Sequence, residues 1–153
     1  MGVVARIAVV DDHALYRAGI RQAVDAAVGF EIVAEGSNAL DAVEIAGTGE
    51  HDMMLLDINM PGGGINAART IASAHPDTKI VFLTNSESEA NVSAVMQLGA
   101  RGYIVKGVGG SELVEILRLV HNGESYVTPS LGAQVLRGLC REEAKVSAGE
   151  LNS

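Results

Sequence analysis

Met53-Met54-Leu55-Leu56-Asp57-Ile58-Asn59-Met60-Pro61 is a short apolar run that ends on a carboxylate and then breaks at proline. A second run, Ile7-Ala8-Val9-Val10, ends the same way on Asp11-Asp12. Apolar runs this short, bounded by turn residues, read as strands buried on both faces. Two such strands in one parallel sheet bring their acids out at its carboxyl edge, where open α/β sheets hold their ligands. Three carboxylates gathered there repel: at ~5 Å and an effective dielectric of ~20, each pair costs roughly 3 kcal/mol. Crowding of that size calls for a cation, so the stretch predicts both a metal and a charged ligand.

Working outward, three more apolar runs follow: Phe30 to Ala34, Ile80 to Leu83 and Tyr103 to Val105. Between and after the runs the i, i+3, i+4 spacing of an amphipathic helix recurs. It is carried by Ile20, Ala23, Val24 and Ala27, then by Ala39, Ala42, Val43 and Ala46. It returns in Ala68, Ile71 and Ala72, in Val92, Val95 and Met96, and in Leu113, Ile116, Leu117 and Val120. Five strands alternating with five helices predict a parallel, doubly wound α/β sheet. Asn38 with Asp41, and Ser86 with Glu89, have the spacing of helix-starting capping boxes. Pro76, Gly99 and Gly123 stand where the last three helices should stop.

Gly123 therefore closes a first domain of residues 1–123. Residues 124–153 read as a linker: Tyr126-Val127-Thr128-Pro129 is a non-helical connection, and Leu131, Val135, Leu136 and Leu139 make the stripe of one short helix. A polar tail runs from Arg141 to Ser153.

Charge and composition exclude several classes. The chain has 153 residues, 48% of them hydrophobic, enough for one core but not two generous ones. Residues 1–124 hold 8 basic and 16 acidic groups, so the whole net charge of −8 falls on that stretch. A domain this acidic is a poor nucleic-acid binder, because phosphate contacts need a basic face. The single Cys140 has no disulfide partner, as expected in a reducing cytosol. The first apolar run is cut short by Asp11 and Asp12, unlike a signal peptide, and no run approaches the ~20 residues of a bilayer span. A soluble, cytoplasmic chain with no membrane contact is expected.

At the predicted edge, Asp12 and Asp57 are the candidate metal ligands, with a backbone carbonyl just past Asp57, that of Asn59, as a third oxygen. Oxygen donors with retained waters suit Mg²⁺, or Mn²⁺ in its place. Asp11 is the candidate supporting carboxylate; the bland alternative makes Asp11 or Asp12 a helix N-cap. Thr84 and Lys106 follow two further strands and add a hydroxyl and an ammonium to the same edge. That set serves phosphoryl transfer to a carboxylate: one Asp attacks, cations neutralise spreading charge, and a hydroxyl donates to a phosphoryl oxygen. His13, His51, His75 and His121 have no metal-ligand spacing and read as surface or capping residues.

From about Arg6 to Gly123 the chain resembles a response-regulator receiver domain of bacterial two-component signalling. Asp11-Asp12-His13 resembles the acidic pair, Asp57 the phosphoacceptor, Met60-Pro61 the loop after it, and Thr84 and Lys106 the hydroxyl and lysine. Tyr103, within Gly99-Ala100-Arg101-Gly102-Tyr103-Ile104-Val105-Lys106, resembles the aromatic switch residue. Leu15, Arg17, Gly19 and the Tyr126-Val127-Thr128-Pro129 segment are similar to the NarL/LuxR-type regulators.

The resemblance implies a flavodoxin-like sheet of order 2-1-3-4-5. It implies phosphorylation of Asp57 with Mg²⁺ by a sensor histidine kinase or phosphotransfer domain, and it admits a homodimer upon phosphorylation. It also implies transcriptional output through a C-terminal helix-turn-helix. No such pattern lies within these residues, so either a truncated regulator or a receiver without an output domain is expected, truncation being favoured.

Three departures stand out. Gly107 follows the lysine where many receivers have a proline in a cis peptide, and cis bonds before other residues cost about 2.5–4 kcal/mol, which leaves that loop open. Gly62-Gly63-Gly64 suggests a mobile loop, and Asn85 replaces a small apolar residue. Two other functions stay in view. A Mg²⁺-dependent phosphohydrolase of the haloacid dehalogenase kind wants a second acid where Asn59 stands. The other is a receiver-like binding module that is never phosphorylated.

Overall fold

The computed structural model describes residues 4–85 and 92–128, with the backbone alone at 92–94. The Ser86–Glu89 capping box, the stripe from Leu131 to Leu139, the tail and Cys140 lie outside the described residues. In chain order the elements are β1 (Ala5–Val10), α1 (Ala14–Asp25), β2 (Phe30–Gly36), α2 (Ala39–Thr48), β3 (Met53–Asp57) and α3 (Gly64–Ala74). They continue with β4 (Lys79–Thr84), α4 (Val92–Gln97), β5 (Gly102–Val105), α5 (Gly110–His121) and β6 (Tyr126–Val127). The sheet order is β2-β1-β3-β4-β5-β6 and every pairing is parallel.

The expected order holds for five strands, and a sixth extends it. Tyr126 pairs with Gly102 and Val127 with Tyr103, so the sheet runs past Gly123 into the stretch expected as a plain connection. Two residues are too few for alternation to show in a sequence.

Alternate residues of the central strands feed opposite cores, which is why their sequences read as unbroken apolar runs. Met53 and Leu55 of β3 face Ile20 and Val24 of α1 and Leu113, Ile116, Leu117 and Val120 of α5. Met54 and Leu56 face Ala42 and Ala46 of α2, Ala67, Ala68 and Ile71 of α3, and Val95 of α4. All four β3 side chains are fully buried. Each contributes roughly 1.5–3 kcal/mol of apolar burial, so the strand that carries Asp57 is among the hardest to displace.

The turns show how the chain is fixed around that strand. Asn38 caps α2 by accepting from the Asp41 amide at 2.8 Å, as its spacing predicts. The reciprocal bond differs: the Asp41 carboxylate takes the Ser37 amide at 2.9 Å, one residue further out. Two of the three glycines after Pro61 are required by close packing. A Cβ on Gly62 would stand 2.7 Å from Ala39 Cβ, and one on Gly64 would stand 2.2 Å from the Asp57 carbonyl oxygen. The Gly63 and Gly64 amides donate to the Met60 and Ile58 carbonyls at 2.9 and 3.0 Å. Only glycine lets α3 start this close to the end of β3. There is no cis peptide among the described residues, and the step after Lys106 is taken by Gly107 at φ +115, a conformation that favours glycine.

His51 is buried rather than on the surface. Its Nε2 lies 3.1 Å from the Thr78 hydroxyl, while Nδ1 has no hydrogen-bond partner. Burial pushes its pKa below the ordinary histidine value; the Arg6 and His75 charges push the same way, against Asp52.

Gly64→Ala should destabilise the fold by at least the ~1–3 kcal/mol typical of overpacking, because the obstacle is backbone. The better helix propensity of alanine returns at most about 1 kcal/mol. The midpoint of urea unfolding measures it, and an unchanged midpoint would refute the close approach.

The neutral His51 ring adds stability that is full above its unfolded value near ~6.5 and is lost as pH falls below it toward the depressed folded value. Urea midpoints should therefore drop between pH 7 and 5, and His51→Gln should flatten that slope. An identical slope in the variant would remove His51 as its source.

Candidate functional site

Four strand ends build the site. β1 delivers Asp11 and Asp12, β3 delivers Asp57, β4 delivers Thr84, and β5 delivers Lys106. The register sets them side by side: Val10 pairs with Leu56, Asp57 with Leu83, and Thr84 with Val105. Asp11 and Asp57 are fully buried, Thr84 nearly so, and Asp12 is exposed at the rim.

Lys106 is the cation that binds the acids together. Its Nζ lies 2.6 Å from Asp11 Oδ2 and 3.4 Å from Asp57 Oδ2, and it sits over the Tyr16 ring 4.7 Å from its centroid. At these separations one lysine offsets part of the repulsion among three carboxylates and leaves net negative charge. The Asp57 carboxyl is accordingly held above the usual carboxylate range. Burial is the main cause and the Asp11 charge adds to it, against the Asn59 amide and Lys106. The Asn59 amide donates to Asp57 Oδ1 at 3.1 Å, whereas the buried Oδ2 accepts no hydrogen bond.

This donor set fits a hard divalent ion. Ligand atoms of Asp11, Asp12, His13 and Asp57 all lie within 4.8 Å of one another. A buried carboxylate oxygen without a hydrogen bond, beside further carboxylates, is what such an ion requires. The capping alternative fails for Asp12, because the N-cap of α1 is His13, which makes no side-chain cap bond. Asp11 instead accepts from the His13 amide at 2.8 Å, holding the turn that aims the acid pair.

Thr84 and Tyr103 form a second, inner layer. The Tyr103 ring is buried against Phe82, 6.4 Å between centroids, and its hydroxyl is hydrogen-bonded to the Thr84 side chain. Burial raises the Tyr103 pKa, with the Thr84 bond opposing. In this conformation the ring already lies inside, under α4.

Two residues at the site carry no functional signal in the sequence. His13 was expected at the surface or as a cap; it is the cap residue, but its Nδ1 turns into the acid pocket, 3.0 Å from Asp11 Oδ1. Tyr16, one helical turn after Asp12, packs on Lys106, and burial together with Asp11 and Asp57 pushes its pKa up to about 12. The i, i+4 step from Asp12 is the only hint of it in the sequence.

Comparison with known proteins agrees with this geometry. Residues 7–118 match the response regulator receiver domain family. The chain is 39% identical over 130 residues to the response regulator UvrY of Escherichia coli K12, covering 84% of this chain and 60% of UvrY. It is 35% identical over 131 residues to the response regulator GacA of Pseudomonas aeruginosa PAO1, covering 85% of this chain and 61% of GacA. It thus spans about 60% of the length of these regulators.

Among solved structures, a LuxR-family two-component response regulator from Aurantimonas sp. SI85-9A1 superimposes with a TM-score of 0.82 at 28% identity, covering 90% of this chain and 99% of that one. The signal receiver domain of NarL from Mycobacterium tuberculosis gives 0.76 at 28% identity, covering 80% and 99%. With the acid pocket at the carboxyl edge of a 2-1-3-4-5 sheet and these matches across its length, the chain belongs to the response regulator receiver domain family, in its NarL/LuxR-type group.

Proposed function

We propose that this receiver takes a phosphoryl group onto Asp57 from a phosphohistidine on a sensor histidine kinase or phosphotransfer domain. The observation that carries the reading is Asp57 itself: buried, with Oδ2 free of hydrogen bonds and Lys106 Nζ 3.4 Å away. An Asp57 carboxylate oxygen attacks phosphorus as the bond from phosphorus to the donor imidazole nitrogen breaks. The nitrogen keeps that electron pair and takes up a proton. Lys106 supplies positive charge to the phosphoryl oxygens, and the Thr84 hydroxyl donates to one of them. Mg²⁺, or Mn²⁺ in its place, held by Asp12, Asp57 and the Asn59 carbonyl with Asp11 in support, would supply charge neutralisation that lets an anionic donor approach. Attack of water on phosphorus then releases phosphate and restores the carboxylate. Asn59 stands where a phosphohydrolase of this chemistry wants its second acid, and the family match places the domain in signalling.

The docking face for the donor is proposed beside the pocket. A largely apolar cavity of about 670 Å³ lies there, lined by Leu15, Tyr16, Ile20, Lys106, Val108 and Leu113. Leu15 is 88% exposed on its rim, an apolar contact point next to the reacting carboxylate. No helix among the described residues is long and apolar enough to cross a membrane, which supports a cytoplasmic setting. Control of transcription through a DNA-binding part, and homodimerisation upon phosphorylation, belong to the same proposal; the regulators the chain resembles are longer than it is. The acidic charge argues that residues 1–124 do not themselves hold DNA.

Acetyl phosphate with Mg²⁺ should add one phosphoryl group by intact mass, with none in excess EDTA or in Asp57→Asn. Asp12→Ala should lose Mg²⁺ binding, and Lys106→Ala should keep it while slowing phosphorylation roughly 10²-fold. An adduct that persists in Asp57→Asn would sink the assignment.

Phosphorylation should exchange the Thr84–Tyr103 hydrogen bond for one from Thr84 to the phosphoryl group, altering the Tyr103 ring and the surface of α4, β5 and α5. Beryllofluoride should shift the Tyr103 ring signals in NMR, and Tyr103→Phe should still be phosphorylated at Asp57. A Tyr103 signal that stays fixed while Asp57 is saturated would rule this route out.

A further inference from the structure

Lys106 is held in the acid pocket by charge, with little direction. Its Nζ stands 2.6 Å from Asp11 Oδ2 and 3.4 Å from Asp57 Oδ2, yet neither oxygen accepts a hydrogen bond, so both contacts are ion pairs alone. A compact ammonium on a flexible four-carbon stem can settle among several carboxylates in more than one way. The side chain is nevertheless only 8% exposed. Against it lies the Tyr16 ring, whose centroid is 4.7 Å from Nζ, within the range of a cation–π contact. The ring does not share the freedom of the lysine stem. Tyr16 belongs to the first turn of α1, one turn before Ile20, and packs on the core that Ile20, Val24 and Leu113 build. The root of Lys106 is fixed as well, because its amide donates to the Thr84 carbonyl at 2.6 Å. Both side chains also line the largely apolar cavity beside the pocket, and removal from water strengthens such a contact.

We propose that Tyr16 is a positioning residue for Lys106: its ring face holds the ammonium in the pose from which it meets a phosphoryl group on Asp57. The inference deepens the reading of Asp57 as phosphoacceptor and rests on it. An aromatic face attracts a cation without adding negative charge to a site that already has three carboxylates. It also leaves the ammonium free to turn its N–H groups toward phosphoryl oxygens. A carboxylate in the same place would pair with the lysine and draw it away from the incoming group. An aliphatic side chain would fill the space and let the ammonium follow the nearest carboxylate, here Asp11. Burial beside Asp11 and Asp57, which pushes the Tyr16 pKa up to about 12, keeps the ring neutral near neutral pH.

The test uses acetyl phosphate with Mg²⁺, because a small donor does not need the docking face that Tyr16 also lines. Phosphorylation rates are followed by intact mass on the full chain for wild type, Tyr16→Phe, Tyr16→Leu, Tyr16→Met, Lys106→Ala and the double variant Tyr16→Leu/Lys106→Ala. Each is checked for folding by circular dichroism, and Tyr16→Met carries the comparison should Tyr16→Leu fail to fold. Tyr16→Phe should stay within about twofold of wild type, while both aliphatic variants should be slowed about tenfold with Mg²⁺ affinity unchanged. Because Tyr16 acts through Lys106, the double variant should be no slower than Lys106→Ala, whereas an independent packing effect would add to the loss. In NMR the Lys106 ε-methylene signal should lie upfield, under the ring current, in wild type and Tyr16→Phe, and should lose that shift in the aliphatic variants. That readout needs no phosphoryl transfer. Aliphatic variants as fast as wild type, Tyr16→Phe as slow as they are, additive losses in the double variant, or no ring-current shift in wild type would each overturn the role of Tyr16. A Lys106→Ala rate equal to wild type, with the ring-current shift present, would instead overturn the phosphoryl-transfer reading beneath it.

Discussion

Like charge held in a confined place is the constraint around which this domain is organised. Asp11 and Asp57 are fully buried and Asp12 stands at their rim, with Lys106 as the ammonium among them. Removing two carboxylates from water costs several kcal/mol each, and the paired lysine returns only part of it. The sheet therefore has to hold the group together against its own repulsion. It does so with β1 and β3, whose side chains are buried on both faces and whose hydrogen bonds run to neighbours on both sides. The apolar core supplies the free energy that the site spends.

The site also divides into rigid and adjustable parts. Asp57 is anchored by a buried strand and by the approach of Gly64 to its carbonyl, so its carboxylate has little freedom. Thr84 and Tyr103 lie on adjacent strands and share a hydrogen bond that either can give up at modest cost, about 1 kcal/mol net. A rigid carboxylate beside an exchangeable inner bond lets a small local change at the pocket be read by one movable contact instead of by the whole core.

Much of this is legible in the sequence because strand ends are sharply marked. The apolar runs Ile7–Val10 and Met53–Leu56 stop on acids, Val81-Phe82-Leu83 stops on a hydroxyl and Ile104-Val105 on an amine, so their common edge follows from topology alone. The inward ring of His13 is not legible, because it depends on which residue becomes the N-cap of α1, a choice of one position among three polar ones. The packing of the glycine run is not legible, because composition shows missing side chains without showing what fills the space; at Gly64 it is the Asp57 carbonyl. His51 reads as a surface residue because its burial comes from loops that meet only in three dimensions, with Thr78 as its partner.

The short strand β6 changes how forces leave the domain. The Thr128 amide donates to the Tyr103 carbonyl at 3.0 Å, and the Val105 amide donates to the Thr128 hydroxyl at 3.2 Å. The last described residues are thus fastened directly to the strand that carries Tyr103 and ends at Lys106. A fastening of two residues, with a few hydrogen bonds of about 1 kcal/mol each, is the seam of the sheet that opens with least work. Mechanically it is a clasp: a tug on the chain beyond Thr128 loads β5 first, and a shift of β5 loosens the clasp before it disturbs any other pairing.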